Sequence, residues 1–124
     1  MRNMSFALTK PQYLDGSKDV TRRLGWLLLK ADDHIMGVEK AMGLKPGEKI
    51  VRLGESVVVS TRREPLRRMI DDLDYGFAEI IREGFADHPT IKGPSAFVEF
   101  FCSTHKGCTP ETVVTRIEFK RVEP

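Results

Sequence analysis

Residues 16–23 read Gly16-Ser17-Lys18-Asp19-Val20-Thr21-Arg22-Arg23. The Asp15-Gly16 pair at its start is a turn signal that lets the backbone reverse tightly. Val20 and Thr21 are β-branched and favour an extended chain. Two residues apart in a strand, Thr21 and Arg23 share one face. Lys18, at the turn exit, can fold over that face. One short stretch thus offers an amine, a hydroxyl and a guanidinium to a single spot. A lysine that loses its proton can activate a hydroxyl nucleophile. An arginine beside it can hold an anion or a carbonyl oxygen. A solvated basic turn leading into a strand fits the same residues, and spacing alone leaves both readings open.

On the N-terminal side, residues 4–9 alternate apolar with small or polar side chains and predict a strand. Pro11 closes it and opens a single helical turn reaching Leu14. On the C-terminal side, an extended stretch near 20–24 runs into the sole tryptophan, Trp26, at the head of Trp26-Leu27-Leu28-Leu29. Trp26 fits the core, since tryptophan is mostly buried. It also fits a ring stacked on a nucleobase at a pocket rim. Asp32-Asp33 marks a turn, and 34–39 reads as a strand. Pro46-Gly47 is the strongest turn signal in the chain. Lys49 to Arg62 follows as a long β-rich segment, with Val51, Leu53, Val57 and Val59 expected on its core face and a bulge expected at Gly54.

Arg62, Arg63, Arg67 and Arg68 precede Asp71, Asp72 and Asp74. Helical spacing pairs Arg67 with Asp71 and Arg68 with Asp72 as surface charges. Leu66, Met69, Ile70 and Leu73 predict a helix from Pro65 to Leu73. A second helix carries Phe77, Ile80 and Ile81 and stops at Gly84, a left-handed cap. A third, capped by Gly93 or Ser95, carries Phe97, Phe100 and Phe101 and ends at Gly107. The last segment alternates from Val113 to Lys120 and reads as a half-exposed strand that closes the sheet near the first one. Strands flanking a helical middle predict an α+β domain with a small barrel, spanning 1–124 as one domain.

The bulk properties exclude several classes. The chain has 124 residues, is 40% hydrophobic and 31% charged, and carries a formal charge of +2. That charge is too small for a strong electrostatic hold on nucleic acid and suits a small-molecule or single-nucleotide ligand better. Two cysteines, Cys102 and Cys108, do not make a secreted disulfide scaffold, so free thiols in a cytoplasmic protein are expected. No signal peptide or membrane span is visible. Cys102, His105 and Cys108 are spaced by three, but a helix stopping at Gly107 leaves only the first two on one face. A structural zinc site wants four ligands, so neither metal nor cofactor is expected. No phosphate loop, dinucleotide fingerprint or Ser-His-Asp elbow is present.

Gly16, Lys18, Thr21 and Arg23 stand at the spacing of the Gly-x-Lys-x-x-Thr-x-Arg signature of the ASCH domain, a PUA-like small-barrel family. The chain resembles that family further in Leu24-Gly25-Trp26, in Val38-Glu39-Lys40 with Gly43-Leu44-Lys45-Pro46-Gly47-Glu48, and in Arg63-Glu64-Pro65-Leu66. The likeness continues in Glu83-Gly84-Phe85 and ends in Val114-Thr115-Arg116-Ile117-Glu118-Phe119, so it covers nearly the whole chain. It implies a PUA-like β-barrel with helices packed at its side. Some members are amidohydrolases of N4-acylated cytidines; others are linked to RNA binding or RNA cleavage. In the amidohydrolase branch the signature Lys and Thr act with a Glu from the later helical region. Carried onto this chain, that implies Lys18 as base, Thr21 as nucleophile or water-positioner, and Glu83 as the carboxylate. Glu79 and Glu99 are the alternatives to Glu83. Arg23 and Trp26 are the substrate-binding candidates, and a modified nucleoside or single-stranded RNA is the expected partner.

Overall fold

The structure is a computed structural model that describes residues 1–122. Among these residues, five strands form one curled, mixed sheet, a half-barrel, with four helices alongside. The strands are β1 (Arg2–Ser5), β2 (Val20–Arg23), β3 (His34–Val38), β4 (Arg52–Pro65) and β5 (Val113–Arg121), in the spatial order β1-β3-β4-β5-β2. The β1–β3 pair is parallel and the other three pairs among the described residues are antiparallel. The helices are α1 (Lys10–Asp15), α2 (Arg68–Asp71), α3 (Leu73–Arg82) and α4 (Pro94–Thr104). The α+β class and the small barrel thus match expectation.

Two clusters form the core. Inside the curl, Met4, Phe6, Tyr13, Ile35, Val58, Ile117 and Phe119 pack together. Helix α1 starts with proline in its first turn and ends on Gly16 in the left-handed region. It delivers Tyr13 into this cluster, stacked on Phe6 at 4.2 Å between ring centroids, with its hydroxyl bonded to Ser56 Oγ at 2.6 Å. Outside the curl, Leu66, Met69, Ile80, Phe85, Ile91, Phe97, Val98, Phe101 and Val114 bind the helices to the sheet.

Several local expectations are corrected. The first strand stops at Ser5, because Thr9 already starts α1. On β4, Ser56 and Val58 face the core while Val59 is exposed, as is Val51 just before the strand. The register against β3 shifts at Gly37/Val38, opposite Gly54 and Arg52. This bulge inserts one residue and reverses the alternation counted from Val51. The expected helix over 65–73 starts three residues late and breaks at Asp72. β4 runs on to Pro65, paired with Val113, and only Arg68–Asp71 is α-helical before the chain re-caps on Asp72 for α3. Arg68 bonds Glu64 at 3.1 Å instead of Asp72, whereas Arg67 pairs with Asp71 as expected. α4 ends at Thr104, short of Gly107. β5 lies between β4 and β2 and not beside the first strand.

That last correction places the site. β1 and β2 are the two edges of the sheet, so the half-barrel is open between them. Arg23 reaches across this seam and donates from Nη2 to the Ser5 carbonyl at 2.5 Å.

Candidate functional site

A cavity of about 290 Å³ occupies the seam. Residues just after β1, the β2 signature residues, Glu83, and the inward face of α4 line it. Its floor is polar and buried: Lys18 and Thr21 are each 3% exposed, as is Glu83.

The turn into β2 and the end of α3 are tied together, which brings distant residues into contact. Asp19 N–H donates to the Arg82 carbonyl at 3.0 Å. The Arg82 guanidinium grips both Asp19 carboxylate oxygens at 3.0 Å, a bidentate geometry that fixes orientation. Gly84 then turns the chain in the left-handed region, φ +96°. A Cβ there would lie 3.3 Å from the Lys18 Cβ, so glycine allows the close approach. Lys18 Nζ donates to the Glu83 carbonyl at 2.7 Å and to its Oε1 at 3.2 Å. Burial pushes the Lys18 amine below the ordinary lysine range. The Glu83 charge opposes this, and the Arg23 and Arg22 charges reinforce it.

Thr21 and Arg23 share a face as the spacing requires, and Arg23 Nε donates to Thr21 Oγ1 at 3.1 Å. Burial lowers the Arg23 pKa to about 10, so the guanidinium stays charged at neutral pH. No hydrogen bond joins Lys18 to Thr21 among the described residues, although both line the cavity. The opposite wall is aromatic. Phe97 meets Phe85 edge-on at 5.4 Å, and His105 stacks on Phe101 at 4.1 Å with its Nδ1 at 2.8 Å from the Phe101 carbonyl. Phe6 completes the enclosure, with the Arg23 guanidinium 5.1 Å from its ring centroid.

Of the sequence-predicted residues, Lys18, Thr21, Arg23 and Glu83 meet here. Trp26 does not line the cavity. It packs beside the inner core, with φ +54°, under the Arg2 guanidinium at 3.8 Å from its ring. Glu99 is exposed on α4. Glu79 is buried but turned to Arg116 and Arg22. Cys102 and Cys108 approach each other, but His105 turns to the Phe101 carbonyl and does not join them.

Arg22 is the residue that sequence reasoning missed. Its register opposite Arg116, which in turn lies opposite Arg62, puts three arginines in a row on the helix-facing side of the sheet. α3 lays carboxylates over this row. Arg22 binds Glu83 Oε2 at 2.9 Å, Glu79 Oε1 at 2.6 Å and Glu64 Oε2 at 3.2 Å. It thereby holds the far side of the carboxylate that faces Lys18. Burial raises the Glu79 pKa, but bonds from Arg116 and Arg22 outweigh it and bring Glu79 down to about 2. Burial likewise works against the Arg22 charge, and Glu83 and Glu79 outweigh it to leave its pKa raised. One signal was present: Glu79 and Glu83 are four apart and share a helical face.

No family model and no curated protein sequence matches this chain. Solved structures do. An ASCH domain from Lactobacillus crispatus JV V101 superposes with a TM-score of 0.60 at 15% identity, covering 97% of this chain and 78% of that one. A DUF984 protein from Enterococcus faecalis V583 gives a TM-score of 0.56 at 13% identity, covering 98% of this chain and 78% of that one. Together with the open half-barrel, these likenesses establish that the chain has the PUA-like fold of an ASCH domain.

Proposed function

We propose that this chain is an amidohydrolase that removes the acyl group from N4-acylated cytidine, without metal, using Lys18, Thr21 and Glu83. The observation that carries the reading is the convergence of these three buried side chains on one aromatic-walled cavity. Amide hydrolysis needs a nucleophile, a base and stabilisation of the tetrahedral oxyanion. Lys18 supplies the base, because burial favours its neutral amine. Thr21 either attacks the acyl carbon or aims a water at it, and its proton passes to Lys18 when substrate closes the gap between them. Arg23, bonded to Thr21 and still charged, is placed to meet the oxyanion. Glu83, within reach of Lys18 Nζ, relays the proton to the departing N4 amine. The aromatic wall suits the face of a pyrimidine ring.

Incubating purified protein with N4-acetylcytidine and following cytidine by chromatography tests the proposal. Time-dependent cytidine, abolished in Lys18→Ala, supports it. A second reading has one observation in its favour: Lys18 is bonded to Glu83 and not to Thr21, as in a charge-balanced binding pocket. Absence of turnover together with salt-sensitive binding of single-stranded RNA would select that reading.

A further inference from the structure

Cys102 and Cys108 stand six positions apart, and their sulfurs approach to 3.5 Å. Both thiols are free and half-buried. Cys102 lies in the last turn of α4. Cys108 follows Gly107, which takes the left-handed region at φ +77°. Cys108 N–H donates to the His105 carbonyl at 3.1 Å, closing the turn between them. The two sulfurs thus face each other across the reverse turn that leads from α4 towards β5. Thr104 and His105 sit inside that turn and also line the cavity. The amide chemistry above makes no use of the thiols. Burial, then donation to Cys108, pushes the Cys102 thiol up to about 11, which slows attack by Cys102 itself. The ligand set is poor for a metal ion: His105 Nδ1 is turned to a carbonyl, and no third ligating side chain joins the two sulfurs among the described residues.

We propose that Cys102 and Cys108 form a redox-active dithiol that closes to an intramolecular disulfide in the presence of a low-molecular-weight disulfide, and that closure clamps the α4 wall of the cavity. The Cys108 thiolate attacks one sulfur of the small disulfide, forming a mixed disulfide and releasing one small thiolate. Cys102 then gives up its proton, attacks the Cys108 sulfur and expels the second small thiolate. The two protein thiols lose two electrons; the small disulfide gains them and leaves as two thiols. The sulfurs need to close by about 1.5 Å to reach bonding distance. The ring formed spans the turn that carries His105, so the state of the dithiol is communicated to the cavity through the His105–Phe101 stack.

The full chain is incubated with graded ratios of oxidised to reduced glutathione, quenched with an alkylating agent and weighed intact. The parent should lose two hydrogens' mass, resist alkylation at both positions, and carry no glutathione. C102S should instead retain one glutathione on Cys108, and reduction should restore the parent's two alkylatable thiols. In the parent, the ¹H–¹⁵N signals of the His105 ring should shift on oxidation and return on reduction, while those of His34 on β3 stay put. Glutathione accumulating on the parent as it does on C102S overturns the proposal. So do cross-linked dimers, or protection of both thiols from alkylation by zinc alone. A disulfide that forms without moving the His105 signals overturns the clamp.

Discussion

Lys18 bears the sharpest test at the scale of single residues. As the base for Thr21 it must shed a proton, which arginine cannot do near neutral pH. Lys18→Arg should therefore lose about as much turnover of N4-acetylcytidine as Lys18→Ala, roughly 10³-fold or more. Near-parent rates for Lys18→Arg would mean that the position only holds charge. Thr21→Ala should be equally damaging, and the double change should cost little more than either single one, since residues that work as a unit are not additive. Thr21→Ser should keep partial activity. The pH profile carries the same argument. The active form is the neutral amine, so kcat/KM should rise with pH through the folded pKa of Lys18, and burial places that limb below the ordinary lysine value of 10.5. A limb at the ordinary value would assign the titration to another group. Turn chemistry and the period of a strand are local, so the shared face of Thr21 and Arg23 was legible from spacing, whereas their reading as a site with Lys18 came from the family resemblance. Trp26 shows the limit of that reading. It takes a φ of +54° and packs beside the inner core, and nothing in the residue types around it forecasts that conformation.

The junction of α3 with the β2 turn decides the geometry at the scale of elements. Gly84 holds a φ of +96°, and a Cβ there would crowd Gln12 Cβ at 3.1 Å and Lys18 Cβ at 3.3 Å. Gly84→Ala should cost about 1–2 kcal/mol from the left-handed backbone alone. It should also lower activity, by moving the Glu83 carbonyl off Lys18. Urea unfolding and turnover, measured on the same preparation, check both; full activity at reduced stability would show that the Glu83 position tolerates the shift. Sequence periodicity performed unevenly here. It placed α3, its Gly84 stop and the α4 aromatics, because propensity and packing agree there. It started the helix of 65–73, whose apolar residues sit at helical spacing, too early and missed its break at Asp72. Leu66 and Met69 are indeed buried, but the ladder pairing Glu64 with Val114 and Pro65 with Val113 extends β4 through the expected helix start. Long-range hydrogen bonding overrides a local pattern that short.

The buried charge array matters most at the scale of the whole molecule. Glu79 has a folded pKa of about 2 against an ordinary 4.5. Between those values the unfolded chain binds more protons than the folded one, so stability rises with pH across that window and is lost as pH falls through it. The contribution is of order 3 kcal/mol. Glu79→Gln should flatten the stability curve between pH 5 and 2 as followed by urea titration. An unchanged acid slope would move the linkage to another carboxylate. Arg22→Met should be harsher, at about 3–5 kcal/mol, because it strands buried carboxylates without their shared cation. Activity, in contrast, should survive EDTA. Loss to the chelator with restoration by zinc would overturn the metal-free reading.

Local chemistry was sufficient for the turn at Gly16, the strand carrying Thr21 and Arg23, the α+β class and the helix end that presents Glu83. Each depends on backbone preferences and side-chain periods within a few residues. Strand order, register and the open seam depend on pairings between segments far apart in the chain, and no local preference encodes them. β5 could be recognised as a strand from its alternation, yet only its pairing with both β4 and β2 leaves β1 and β2 as facing edges with a cavity between them. The same pairing sets Arg22 opposite Arg116 and builds the buried array that orients Glu83. A one-residue slip of that register would send Arg22 to the other face of the sheet and leave Glu83 without its second cation.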